Sequence, residues 1–202
     1  LEAAVKEAGY EDAKPQTPGK LTGRGMALCE RHVGAGSSTV RISIDSDGIV
    51  TPYTALPDTG SGFYTVLRQI LGQELGVAYD EIKLENWSTD DVAFETGVGG
   101  SRVTHVAGQA VYRAAQELKQ KLAATAADLF GWSEDKTGFS QGQVTAPGQT
   151  AVSLGELVSR SGGLLEADHT YDSERDEDIT VFCVQIAEVD VDVETGQVQL
   201  TK

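Results

Sequence analysis

The hydrophobic period of the chain changes at residue 63. Before it, "TVRISIDSDGIVTPYTAL" (39–56) alternates Val40, Ile42 and Ile44 with polar residues, the period-two signature of a strand buried on one face. After it, Phe63, Leu67, Ile70, Leu71 and Leu75 recur at helical spacing, and Gly76 stands where a helix end favours glycine. A chain that carries both periods side by side must lay helices against sheet. The expected class is therefore α+β, with mixed sheets, hairpins and a long helix. The turn Asp45-Ser46-Asp47-Gly48 joins two strands of a hairpin; it lacks the later glutamate and the ligand spacing of a calcium loop.

Between the two periods lies a bare stretch, Gly60-Ser61-Gly62. A second, in "ETGVGGSRVTHVAGQAV" (95–111), precedes a long helix expected from Thr104 to about Phe130 and marked by Ala107, Val111, Ala114, Leu118, Leu122, Ala126 and Leu129. A helix N-terminus leaves backbone N–H groups unpaired and concentrates about half a positive charge, so a loop without bulky side chains lets an anion or a polar ring edge approach. Arg102 adds a fork of donors beside the second loop, and Ser101 and Thr104 add hydroxyls. The plainer reading, in which each loop is a tight strand-to-helix connection, stays open.

The remaining pattern is coarser. Residues 1–18 read as a helix end and polar linker, and "EIKLENWS" (81–88) as a half-exposed strand. The sequon Asn86-Trp87-Ser88 is set aside because nothing else points to secretion. Residues 132–152 read as loop with one short strand. Ser153 caps a short helix, with Glu156 completing a capping box. "LLEADHTYDS" follows as a strand, "ERDED" (174–178) as a solvated acidic turn, and 179–202 as a hairpin turning at Glu194-Thr195-Gly196-Gln197. The apolar parity shifts from Val184 and Ile186 to Val189, Val191 and Val193, which predicts a β-bulge near Ala187 and Glu188. The expected organisation is a linker (1–18) and one segment (19–202), made of a glycine-loop half (19–131), a loop (132–152) and a helix with the C-terminal hairpin (153–202).

Charge and residue usage exclude several functions. A formal net charge of −15 without a basic stripe argues against nucleic acid and anionic membrane as partners. No run approaches the ~20 apolar residues of a membrane span. Cys29 and Cys183 fit no metal or redox spacing, so they read as two free, buried thiols in a reducing, cytoplasmic setting. His32, His105 and His169 lack paired-ligand spacing and read as structural, while Asp190, Asp192 and Glu194 read as a solvated sheet face. There is no G-x-S-x-G elbow, no phosphate-gripping Lys-Ser/Thr ending and no acid–base pair, so no catalytic residue and no metal ligand is named. The single methionine, Met26, is internal, and a processed chain or an excised segment is expected.

The order "GRGMALCERHVGAGSSTVRISIDSDG", "DTGSGFYTVLRQILGQELGV", "DEIKLENWSTDDVAFETGVGGSRVTHVAGQAVYRAAQEL" and "EVDVDVETGQV" resembles the molybdopterin-binding large subunit of the xanthine dehydrogenase and aldehyde oxidase family. The likeness runs from about Gly23 to the C-terminus. It implies that the two loops touch the molybdenum–molybdopterin cofactor, whether in its cytosine dinucleotide form or without the nucleotide, through Gly60, Ser61, Gly62 and Phe63 and through Gly99, Gly100, Ser101, Arg102 and Thr104. The middle of the first loop is usually glutamine in that family, and Ser61 is shorter.

The resemblance further implies a parent complex that hydroxylates a heterocycle or aldehyde with water-derived oxygen, with iron–sulfur clusters and FAD on other domains or subunits. The family's glutamate base has no match in this chain, so the isolated chain is expected to be inactive. Two other readings remain open: a noncatalytic binding or assembly relative, and an unrelated phospholigand-binding enzyme.

Overall fold

The computed structural model describes residues 1–14, 17–84, 88, 90, 92–173 and 180–202. In chain order it contains α1 (Glu2–Ala8), β1 (Lys20–His32), β2 (Gly36–Asp45), β3 (Val50–Tyr53) and α2 (Phe63–Leu75). A π-helical turn, Val103–Ala107, leads into α3 (Gly108–Phe130). Then come β4 (Gly138–Ser140), β5 (Gln143–Thr145), β6 (Val152–Ser153), α4 (Leu154–Ser161), β7 (Leu164–Ser173), β8 (Thr180–Asp192) and β9 (Val198–Leu200). The mixture of helices and open sheets is the α+β class expected. No helix among the described residues is long and apolar enough to cross a membrane.

The chain divides into two compact units, Val33–Asp176 and a second made of Leu1–His32 with Glu177–Lys202. This division differs from the segments read in sequence, because β1 and β8 belong together although they lie near opposite ends of the chain.

In the first unit β2 is central, antiparallel to β3 (Ile44↔Val50, Arg41↔Tyr53) and to β7 (Asp45↔Leu164 through Gly36↔Ser173). Its inward residues Val40, Ile42 and Ile44 are fully buried, as their alternation requires, in one cluster with Ala167 of β7 and the apolar faces of α2 and α3. The π turn contributes Ala107 and helix α3 contributes Ala110, Ala114, Ala115 and Ala126, whose small side chains allow close backbone approach, together with Leu118 and Leu122, each worth about 1.5–3 kcal/mol of burial. Helix α2 packs through Phe63, Leu67, Leu71 and Leu75 and ends at Gly76, whose φ of +65° is the left-handed stop expected.

Three expectations for this unit are corrected. Residues 132–152 form a 3₁₀ turn, Glu134–Lys136, and a small antiparallel sheet β4-β5-β6 rather than a loop with one strand. Its strands are too short for a periodic signal to register. Within 81–88, Glu81 ends a 3₁₀ turn and Ile82 makes a single parallel bridge to Val50, while Asn86 and Trp87 of the sequon lie outside the described residues. Ser153 does cap α4, accepting the Glu156 N–H at 3.1 Å, but the Glu156 carboxylate turns forward to pair with Arg160 instead of closing the box. The "ERDED" segment also lies outside the described residues.

In the second unit β8 pairs with β1 without interruption from Lys20↔Asp192 to His32↔Thr180, and β9 adds a third strand through Val191↔Val198 and Val189↔Leu200. The expected β-bulge is absent. Val184 and Ile186 stand on one face of a regular strand and Val189 and Val191 on the other, and all four are half-buried. The parity shift therefore marks a ribbon apolar on both faces, not a displaced register. Helix α1 and the segment after it cover one face, where Glu188 is buried and bridges Arg24 Nη2 (3.1 Å) and Lys14. The hairpin turns after Asp192, whose carboxylate accepts N–H bonds from Glu194 (3.0 Å) and Thr195 (2.8 Å). Asp192 is thus a turn-former rather than only a solvated face.

Candidate functional site

The first glycine loop is built around a carboxylate that the sequence reading did not select. Asp58 accepts the N–H groups of Gly60 (3.0 Å), Gly62 (3.1 Å) and Tyr64 (3.3 Å), so it caps the N-terminus of α2 from outside the helix, ahead of the N-cap residue Gly62. Gly60 and Gly62 adopt φ of +90° and +78°, which is the local demand for glycine at both positions. Partial desolvation pushes the Asp58 carboxyl up, but donation from Gly62, Tyr64, Gly60 and Ser61 outweighs it and holds the pKa below the ordinary 3.8. The amides expected to receive an external anion are therefore already engaged by the chain's own. An aspartate two residues before a glycine is a familiar turn signal, and it was the cue available.

The second loop is pinned from behind by Arg102, which is 3% exposed. Its guanidinium donates to Glu95 Oε1 (2.7 Å), Ala35 O (2.9 Å), Ser37 O (2.8 Å), Ser38 Oγ (3.3 Å) and Gly97 O. This corrects the expectation that Arg102 offers free donors to a ligand: its fork is spent on the loop's own backbone and on β2. Gly34 backs the loop as well, donating its N–H to Gly100 O at 2.6 Å. A Cβ on Gly34 would stand 3.2 Å from the oxygens of Gly99 and Gly100, which explains a glycine there that the motif reading passed over. Gly100 and Ser101 are both left-handed, at φ of +59° and +60°, the latter strained for a residue with a side chain.

The two loops share one cavity of about 280 Å³. It is lined by Ser61 and Phe63 from the first loop and by Val98, Gly99, Gly100, Ser101, Val103 and Thr104 from the second loop and the π turn. Of the residues expected at a cofactor, Ser61, Phe63, Gly99, Gly100, Ser101 and Thr104 meet here, Gly60 and Gly62 flank the wall, and Arg102 lies behind it. The wall combines apolar side chains with three hydroxyls and exposed backbone, and none of the described residues lining it has a titratable side chain. Gly99 is the informative position. Its φ is not left-handed, and a Cβ there would meet none of the described residues within 4 Å, so nothing among them requires a glycine.

A larger cleft of about 540 Å³ lies in the other unit, lined by α1 and by Thr22, Arg24, Glu188 and Asp190. It contains none of the expected site residues, and Glu188 pairs with two of its cations, Lys14 and Arg24. Among the described residues no three His, Cys, Asp or Glu side chains form a metal-binding group. The histidines have structural partners as expected: His169 meets Glu117 at 2.8 Å, His32 meets Thr180 at 2.8 Å, and His105 meets Ser173 at 3.4 Å. Cys29 and Cys183 are free but exposed, not buried, because their end of the β1–β8 ladder is largely uncovered.

Residues 2–202 match the family model described as molybdopterin cofactor-binding domain. The chain is 31% identical over 145 residues to the nicotine 6-hydroxylase large subunit of Paenarthrobacter nicotinovorans, covering 71% of this chain and 18% of that protein. It is 26% identical over 195 residues to the aldehyde oxidoreductase molybdenum-binding subunit of Escherichia coli, covering 92% of this chain and 26% of that one. Among solved structures, CO dehydrogenase from Oligotropha carboxidovorans superposes with a TM-score of 0.71 at 24% identity, over the whole of this chain and 27% of its own. Quinoline 2-oxidoreductase from Pseudomonas putida superposes with a TM-score of 0.70 at 22% identity, covering 28% of its chain. The chain thus spans between 18% and 28% of the length of these relatives.

Proposed function

The chain belongs to the molybdopterin cofactor-binding domain family, and on that footing we propose that the cavity between its two glycine loops forms part of the wall around a molybdenum–pterin cofactor. The observation that carries the reading is Gly99: a residue with ordinary φ and open space at its missing Cβ, standing on a wall with the hydroxyls of Ser61, Ser101 and Thr104. An extended polar ring system needs such bare backbone beside it, and hydroxyls can serve it as donors or acceptors.

The cofactor, when bound, supplies the redox chemistry of a hydroxylation. This chain's part is binding and orientation. Phe63, Val98 and Val103 keep one side of the cavity apolar, the left-handed pair Gly100 and Ser101 sets the loop's path, and Arg102 with Glu95 holds that path from behind. Among the described residues that line the cavity there is no acid or base, so their part is binding rather than proton transfer. A volume of about 280 Å³ is also at the lower edge of small-molecule sites, about 300–1,000 Å³, so the chain encloses a portion of the cofactor and neighbouring segments enclose the rest.

The parent is read as a molybdenum hydroxylase acting on a heterocycle or aldehyde, with iron–sulfur and flavin partners and a cytoplasmic setting. The engagement of the Gly60-Ser61-Gly62 amides by Asp58 weighs against the alternative of a phosphate held on the N-terminus of α2. The test is Gly99→Val in the full-length protein, scored by molybdenum content and by fluorescence of the oxidised pterin. Loss of both in a folded protein is expected; retention of both at the level of the unaltered protein would remove this wall from the cofactor site.

A further inference from the structure

We propose that Cys29 and Cys183 form a reversible cross-strand disulfide, making the β1–β8 ladder a redox modification site. The two residues stand directly opposite each other in the ladder, near opposite ends of the sequence, and both are free and exposed. Directly opposed residues of an antiparallel pair project from the same face, so the two thiols share one face of the ribbon. Their flanks on that face are open: Ala27 carries only a methyl group, and Val181 is 62% exposed.

The phase of the ladder sets the character of the bond. The Val193 N–H donates to Gly19 O at 3.1 Å, so the odd-numbered pairs, Cys29↔Cys183 among them, are the hydrogen-bonded ones. Such pairs hold their Cα atoms about 5.5 Å apart, inside the range of about 4.4–6.8 Å that a disulfide spans. Their Cβ atoms stand about 4.5–5.5 Å apart, against about 3.5–4.5 Å in a disulfide. Closing the bond pulls the strands together by roughly 1 Å, and a strained, exposed disulfide is easily reduced again. This geometry describes a labile couple, not a structural staple.

The oxidant is a low-molecular-weight disulfide such as glutathione disulfide. One cysteine thiolate attacks it, forming a mixed disulfide and releasing one glutathione thiolate. The second cysteine thiolate then attacks the protein sulfur of that mixed disulfide and expels the other glutathione. Two protein thiols lose two protons and two electrons, and one glutathione disulfide becomes two glutathione thiols.

The experiment incubates the full chain with mixtures of reduced and oxidised glutathione, alkylates it and reads intact mass and linked peptides. The expected product is a monomer that has lost both alkylatable thiols together, lacks a glutathione adduct, links the Cys29 peptide to the Cys183 peptide and reverts with dithiothreitol. Cys29→Ser and Cys183→Ser should each trap one glutathione adduct at the remaining cysteine. Two independent adducts on the unaltered chain, or covalent dimers in place of the internal bridge, would overturn the proposal.

Discussion

Arg102 Nη1 stands 2.7 Å from Glu95 Oε1, with both side chains 4% exposed, and this pair fastens the second glycine loop to the start of β2. Glu95 Oε2, also buried, has no hydrogen-bond partner among the described residues. Removing one member of a buried pair leaves the other charge uncompensated. Arg102→Ala should therefore cost about 3–5 kcal/mol in urea unfolding. Arg102→Ala combined with Glu95→Ala should cost less than the sum of the single changes; strict additivity would show that the pair is not coupled.

Asp58→Asn tests the carboxylate cap of the first loop. The folded pKa of Asp58 lies below the ordinary 3.8, so its stabilisation is fully present above that value and is lost as the pH falls through the lowered folded value. The variant should melt below the unaltered chain near neutral pH, and the two melting curves should converge in the acid range. A gap independent of pH would remove the charge of Asp58 from the explanation.

Ser153→Ala should destabilise the chain by about 0.5–2 kcal/mol, because the Ser153 hydroxyl is the acceptor for the Glu156 N–H at the start of α4. Thr in its place should restore most of the loss, as read by chemical denaturation.

Gly155→Ala should cost about 1–3 kcal/mol by overpacking. A Cβ at 155 would lie 2.8 Å from Ser46 O and 2.9 Å from Gly48 N, in the turn between β2 and β3. Gly99→Ala, whose added methyl meets nothing within 4 Å, should leave stability nearly unchanged in the same assay.

The isolated chain should carry well below one molybdenum per polypeptide and show no hydroxylase turnover with an artificial electron acceptor. Metal analysis of the purified chain checks this, and stoichiometric molybdenum would mean that one wall suffices to hold the cofactor.

Legibility followed the strength of local signals. The period change at Phe63, the alanine-rich stripe of α3 and the glycine stop at Gly76 all appear in the structure where the residues indicate, because each is written in consecutive turns. The convergence of the glycine loops on one cavity was readable from their order and from family likeness. What stood behind them was not: Arg102 looks like a ligand donor in sequence, and only the approach of Glu95 and of residues 35–38 shows its fork to be spent. The valine parity of β8 misled for a related reason. A two-faced ribbon and a bulged single-faced strand have the same local pattern, and the pairing with β1 that separates them is remote in sequence.

That remoteness governs how the ladder can assemble. His32 and Thr180 lie 148 residues apart, so at ordinary elongation rates β1 leaves the ribosome roughly 7–30 s before its partner strand exists. The closure of β2 on β7 shortens the wait in entropy if not in time. Once Gly36 pairs with Ser173, the chain separating the two halves of the ladder shrinks from the 148-residue span to the few residues flanking that pair. By loop-closure scaling this removes roughly 2 kcal/mol of ordering cost. Closure of β2 on β7 should thus favour pairing of the ribbon's two strands, and lesions that slow it should surface first as unpaired, aggregation-prone β1.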